Sequence, residues 1–220
     1  MSGHQAARLF AAIDPPRAVS EQLASWAREV AGAIRAQAGP AGVGEDFRVR
    51  LLAPETMHVT LCFLGARPPE EMQTLAGALE AFEGSIEELA LGAPLWLPPR
   101  APRTLALAVG DEDGSLAEAQ AGLSDAFAQA VDWQPERRRF RAHLTVARLG
   151  RGKPSRRARG GGRRDRRRGH DLDHGAPGPP QLPATPQLSF TPEALVLYRS
   201  WLDRDGARYE PIATRALDAP

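Results

Sequence analysis

The chain has little of several things that would decide its class at once. With a single cysteine, Cys62, it can form no internal disulfide, which suits a reducing compartment. No apolar run approaches the roughly 18 residues that a membrane-spanning helix needs. The opening Met-Ser-Gly-His-Gln-Ala-Ala-Arg lacks the charged-then-apolar layout of a signal peptide. The expectation is therefore a cytoplasmic protein with no membrane partner. Aromatic residues make up only 6% of the chain, so rings able to stack on a base are few; Phe10, Trp133, Phe140 and Tyr198 are the candidates, most of them expected in the core. Lysine is confined to Lys153, an Arg-for-Lys bias that reflects overall composition rather than function. What is present is ordinary for a globular protein, at 42% hydrophobic and 25% charged residues over 220 positions, enough for one large domain or two small lobes.

The net charge of +1 hides an asymmetry. Residues 151–168 carry nine arginines and Lys153 against one aspartate. Setting these ten basic and one acidic residues apart from the totals of 28 and 27 leaves 18 basic and 26 acidic residues elsewhere. The remainder is thus acidic. Residues 150–186, with the Arg run, Gly160-Gly161-Gly162 and a Pro-rich tail, hold too little apolar surface to offset their ordering entropy, and a disordered insertion is expected. The Arg run can act as an RNA tether or as a solvated insertion without function; a change in salt dependence on its deletion distinguishes the two.

Hydrophobic periodicity outlines the elements. Arg8–Ile13 reads as a buried strand closed by Asp14-Pro15-Pro16, a helix-start signal. Val19, Leu23, Trp26, Val30 and Ile34 then fall on one helical face. Strands are expected at 48–51 and 58–64, the latter stopped by Gly65 and Pro68-Pro69. A helix follows with Met72, Leu75, Leu79 and Phe82 on one side, then strands at 86–97 and 103–109. A third helix is expected over Asp113–Trp133, a strand over Phe140–Leu149, and two closing strands near 187–198 and 208–217 around Asp203-Arg204-Asp205-Gly206. Short connections between strands predict antiparallel sheets with helices outside, an α+β fold. The domain is expected to comprise 1–149 and 187–220, as a monomer, with 150–186 inserted.

The chemistry concentrates in two tripeptides, His58-Val59-Thr60 and His143-Leu144-Thr145, 85 positions apart. Alternate side chains of a strand share a face, so each strand presents an imidazole and a hydroxyl on one side and apolar residues on the other. Two imidazoles near neutral pH can divide the work of a base and an acid, and threonine hydroxyls can donate to phosphoryl oxygens, without a metal. Spacing alone leaves a second reading open, in which both histidines simply cap strands or sit satisfied in a core. By alternation Cys62 falls on the His58 face, where it would line the site. His170-Asp171-Leu172-Asp173-His174 imitates metal spacing, but its flanking prolines and glycines argue against the helix that would present it.

The flanks of the two tripeptides extend the case. Pro54-Glu55-Thr56-Met57-His58-Val59-Thr60-Leu61-Cys62-Phe63-Leu64-Gly65 and Phe140-Arg141-Ala142-His143-Leu144-Thr145-Val146-Ala147-Arg148 resemble the paired H-x-T-x motifs of the 2H phosphoesterase superfamily. Arg8–Asp14, Leu197–Ser200 and Gly206–Tyr209 are similar to further parts of its LigT-like branch, the RNA 2′,3′-cyclic phosphodiesterases. The resemblance implies a two-lobed LigT-like fold with a central cleft. It implies metal-independent hydrolysis, with no cofactor, of an RNA 2′,3′-cyclic phosphate to a 2′-phosphomonoester. His58 would then be the proton donor and His143 the proton acceptor, with Thr60, Thr145 and Arg148 holding the phosphate; the partners would be RNA ends or oligonucleotides bearing the cyclic phosphate. Alternation puts Arg148 on the face opposite His143, so a bend at the strand end must return it to the phosphate. The chain departs from the family at Ala142, usually proline, and at 150–186, usually a short loop and a helix. Two other readings remain: a non-catalytic RNA-binding module, and the same chemistry on a small cyclic nucleotide.

Overall fold

Strand pairing in the computed structural model, described over residues 7–42, 47–151, 181–203 and 206–217, is antiparallel throughout. The described strands are β1 (Ala7–Ile13), β2 (Phe47–Leu51), β3 (Val59–Arg67), β4 (Leu89–Leu97), β5 (Thr104–Gly110), β6 (His143–Arg151), β7 (Ser189–Phe190), β8 (Ala194–Asp203) and β9 (Gly206–Ala216). Among the described residues three α-helices accompany them: α1 (Arg17–Gly42), α2 (Pro69–Glu80) and α3 (Ser115–Ala130). The strands form one sheet in the order β7-β4-β5-β6-β3-β1-β8-β9, with β2 added alongside β6.

The two expected lobes are the two halves of this sheet. One half holds β1, β3, β8 and β9; the other holds β2 and β4–β7. They meet at a single residue pair, Val59 opposite Leu144, where β3 touches β6. Beyond that point β6 turns its edge to β2, pairing Ala147–Arg151 with Leu51–Phe47. The sheet is thus nearly parted along the line between the two His-x-Thr segments, and there a cleft opens.

Helices cover the other side. The apolar stripe read from the sequence of α1 is the buried one, with Leu23, Val30 and Trp26 among its most enclosed residues, and it lies behind β2 and β6. α2 and α3 pack on each other, α2 against β8 and β9 and α3 against β3. Leu75 and Leu79 from α2 and Leu116, Leu123 and Phe127 from α3 are fully buried. At roughly 1.5–3 kcal/mol for each large apolar side chain removed from water, these two layers are the main source of stability.

Several boundaries differ from expectation, each for a local reason. Gly65 does not stop β3: it takes φ +74°, a conformation suited to glycine, inside a bulge, and the strand runs on to Arg67. The third helix is shorter than 113–133. Gly114 has φ +84°, and the carboxylates of Asp113 and Asp111 accept the backbone N–H groups of Ser115, Leu116 and Ala117, so these aspartates cap the helix instead of joining it. At its other end Val131 is already extended. β6 begins at His143 rather than Phe140, and the strand expected near 187–198 is split into β7 and β8. Both described ends of the 150–186 segment are bonded to the domain. Gly150 and Arg151 belong to β6, Gln181 exchanges two hydrogen bonds with Gln37 of α1 (2.7 and 2.9 Å), and Trp26 Nε1 donates to the Pro183 carbonyl. The Arg run beyond residue 151 and the His170–His174 cluster lie outside the described residues.

Candidate active site

Each His-x-Thr segment is followed by the same irregularity. On β3, Thr60 pairs with Ala12 and Cys62 with Ala11, leaving Leu61 as an extra residue against β1. On β6, Thr145 pairs with Ala106 and Ala147 with Leu105, leaving Val146 extra against β5. A bulge of this kind reverses the alternation beyond it. Leu61 and Cys62 are therefore buried in succession, as are Val146 and Ala147, and the residue five places after each histidine, Phe63 or Arg148, emerges exposed. This is the bend that Arg148 needed. It also corrects the placement of Cys62. The thiol does not line the site but packs inward against α3, its Sγ 3.3 Å from Ser124 Oγ, and burial pushes its pKa up to about 11.

The Val59–Leu144 pair sets the two segments crosswise. Continued by one residue each way, that register puts His58 opposite Thr145 and Thr60 opposite His143, all four on the side away from the buried Val59 and Leu144. Each imidazole is held the same way: His58 Nδ1 donates to the Thr56 carbonyl at 3.0 Å and His143 Nδ1 to the Arg141 carbonyl at 2.8 Å. A carbonyl only accepts, so Nδ1 keeps its proton and Nε2 of each ring is left for chemistry.

The open cleft so formed, about 280 Å³, is lined by His58, Thr60, His143, Thr145 and Arg148, the five site residues read from the sequence. Arg103, Thr104 and Tyr209 join them. Arg148 Nη1 donates to Thr104 Oγ1 at 3.1 Å, which steadies the guanidinium. Among the described lining residues two are cationic and none is acidic, so the cleft suits an anion. No group of three or more His, Cys, Asp or Glu side chains among the described residues is placed to hold a metal ion.

His58 has the more enclosed setting. Phe10 lies against its ring, with centroids 4.8 Å apart, and Tyr209 meets it edge-on at 5.1 Å. Tyr198 stacks behind Phe10 at 5.2 Å, and its hydroxyl donates to Asp14 Oδ2 at 2.5 Å. Burial raises the Asp14 carboxyl above its ordinary value against the lowering effect of that bond. Desolvation, opposed by the bond to Thr56 and aided by the charges of Arg148 and His143, lowers the His58 pKa to about 4. In the free cleft His58 is thus neutral at pH 7.

Of the aromatic candidates, Phe10 and Tyr198 back the site, whereas Trp133 packs edge-on to Phe127 and Phe140 against the core. The reading from sequence missed Phe63, Arg103, Thr104 and Tyr209. A signal for Phe63 existed: His58–Gly65 and His143–Gly150 align without gaps as H-[VL]-T-[LV]-[CA]-[FR]-L-G, which makes Phe63 the counterpart of Arg148. For Arg103, Thr104 and Tyr209 there was none, because they come from strands that meet the cleft only in the folded sheet.

Residues 13–101 match the family model described as LigT like Phosphoesterase. No curated protein matches the chain by sequence. Among solved structures, a Thermus thermophilus protein is similar at 23% identity and TM-score 0.65, covering 96% of this chain and 97% of its own. E. coli LigT complexed with 3′-AMP is similar at 24% identity and TM-score 0.64, covering 97% and 99%. A third structure, of E. coli LigT complexed with NADP+, is similar at 24% identity and TM-score 0.62 over the same shares. The fold is therefore the LigT-like one across both halves of the described sheet, including β6 with His143, which lies beyond the family-model match.

Proposed function

We propose that this LigT-like phosphoesterase hydrolyses the 2′,3′-cyclic phosphate at an RNA end to a 2′-phosphomonoester. The observation that carries the reading is the crosswise arrangement of two Nε2-directed imidazoles and two threonine hydroxyls over one cationic cleft. A cyclic phosphate seated there has donors for its non-bridging oxygens in Thr60, Thr145 and Arg148, and an imidazole on either side. His143 Nε2 takes a proton from water as the water oxygen bonds to phosphorus. The P–O3′ bond breaks, and O3′ receives a proton from His58 Nε2. Solvent exchange then returns both rings to their starting states.

A donor must first be protonated, and His58 in the free cleft is not. Burial is the main cause of its low pKa; the negative charge of a bound phosphate acts in the opposite direction, offsets Arg148 and favours the imidazolium. Exposed Phe63, on the cleft face beside Phe10, offers a ring to the terminal base. The structures of E. coli LigT with 3′-AMP and NADP+ fit a nucleotide-sized ligand, and they also keep open the same chemistry on a small cyclic nucleotide.

The test is turnover of an oligonucleotide ending in a 2′,3′-cyclic phosphate, with product analysis. A 2′-monophosphate is expected, because O3′ leaves. A 3′-monophosphate as product would reverse the leaving group. Binding of the oligonucleotide without turnover by the wild type would favour a non-catalytic RNA-binding module.

A further inference from the structure

Two large hydrophobic side chains stand out among the described residues as exposed, Phe63 at 43% and Trp201 at 41%. Each has a guanidinium over its ring: Arg8 lies 5.6 Å from the Phe63 centroid and Arg199 5.8 Å from that of Trp201. Both rings border one hollow of about 230 Å³, which shares His58, Thr60, Arg148 and Tyr209 with the reaction cleft. Among the described residues lining this hollow none is acidic. Exposed aromatic rings, each paired with arginine and continuous with an anion-binding cleft, are what single-stranded nucleic acid uses: bases stack on rings and phosphates meet guanidinium groups.

The geometry also gives a direction. A terminal 2′,3′-cyclic phosphate has the rest of its strand on the 5′ side, and that strand must leave the cleft past some wall. The wall formed by Leu52, Leu97, Pro98 and Arg103 offers no aromatic ring among its described residues. The other leads past Phe63 to the β8–β9 hairpin, where Trp201 pairs with Arg208. Alternation puts Trp201 and Arg199 on the face of β8 turned away from Ser200, so Trp201 borders the hollow at its rim, near the hairpin end.

We propose that Trp201 with Arg199 forms a second base-binding position, which takes a nucleotide on the 5′ side of the cyclic phosphate. It rests on the reading of the cleft as a cyclic-phosphate site. The consequence is a preference for oligonucleotides over single nucleotides, set by the hairpin and not by the histidines.

The test compares kcat/KM for a nucleoside 2′,3′-cyclic phosphate with that for a tetranucleotide ending in the same group, in wild type, Trp201→Ala and Trp201→Phe. Trp201→Ala is expected to lower kcat/KM on the tetranucleotide about tenfold, chiefly through KM, and to change it less than about twofold on the nucleoside substrate; Trp201→Phe restores most of the loss. Equal losses on both substrates, or none on the tetranucleotide, overturn the proposal. Binding of a labelled tetranucleotide, followed by anisotropy, separates this proposal from the catalytic one. If the wild type turns over neither substrate but Trp201→Ala still weakens binding about tenfold, the base position stands and the chemistry falls. If Trp201→Ala leaves binding unchanged but shifts the sedimentation coefficient, the ring serves contact between copies of the chain and the proposal fails.

Discussion

The strands β3 and β6 begin alike and end in different chemistry. Both present a histidine whose Nδ1 is tied to the carbonyl two residues back, then a threonine, then a bulge that brings the fifth residue after the histidine back to the cleft side. On β6 that residue is Arg148, held by Thr104. On β3 it is Phe63, under Arg8. The imidazole of β3 is walled by Phe10 and Tyr209, and its pKa falls to about 4. One half of the sheet thus contributes a cation to the cleft, and the other an apolar setting and a ring. A duplicated backbone device has been given two complementary side chains, and the shared part should be sensitive to the same changes in both halves, the divergent part to different ones.

The largest effect should come from what the halves share. His58→Ala and His143→Ala should each lower kcat/KM on a cyclic-phosphate oligonucleotide by about 10²–10⁴-fold. The double variant should be only a few-fold worse than the poorer single one, because the proposed mechanism uses the two groups as a unit. Normal turnover in either single variant would break the equivalence of the strands and the two-histidine mechanism with it.

The divergent position should separate the halves. Arg148→Ala should cost about a hundredfold in kcat, the scale of losing one donor to developing phosphoryl charge. Phe63→Ala should raise KM about tenfold and leave kcat nearly unchanged. Steady-state kinetics of the two variants decide this; losses of the same kind in both would mean that Phe63 and Arg148 do not divide base from phosphate.

The enclosure of His58 can be probed without substrate. Its pKa in the folded chain, about 4, lies below the ordinary 6.5, so the folded state resists protonation. The stability linked to this group is fully present above about pH 6.5 and is lost as pH falls towards 4, by up to about 3 kcal/mol. Denaturant unfolding measured across that window should show the loss in the wild type and a flatter profile in His58→Gln. Identical profiles would show that His58 is not desolvated as the cleft implies.

The smallest effect concerns the two glycines that close the repeat. Gly65 has φ +74°, whereas Gly150 is not among the glycines with positive φ, and an added Cβ meets no atom within 4 Å at either. Gly65→Ala should therefore destabilise by about 1 kcal/mol through backbone strain alone, with Gly150→Ala close to neutral. Equal unfolding midpoints for the two would remove the second bulge of β3 as a difference between the halves.

Most of the elements were legible because their apolar periodicity is strong: the stripe of α1 and the burial of β1 follow directly from residue spacing. Boundaries were less so where a single residue could serve two purposes. Asp113 looked like the start of a helix and is its cap; Gly65 looked like a stop and is a bulge. Cys62 lies inward because the extra residue Leu61 breaks the alternation after Thr60, and nothing in the local sequence marks that break.

The sequence by itself determined the two His-x-Thr tripeptides and the alternation of polar and apolar residues within them, since these depend on neighbours along the chain. Only the tertiary structure decided which side of the sheet each later residue occupies. A bulge is two residues set against one, and it exists only when the partner strand is present: Ala11 and Ala12 of β1 define it for Leu61, and Leu105 and Ala106 of β5 for Val146. The same holds for the cleft itself. Histidines 85 positions apart in the chain face one another because one residue pair, Val59 with Leu144, joins two otherwise separate half-sheets.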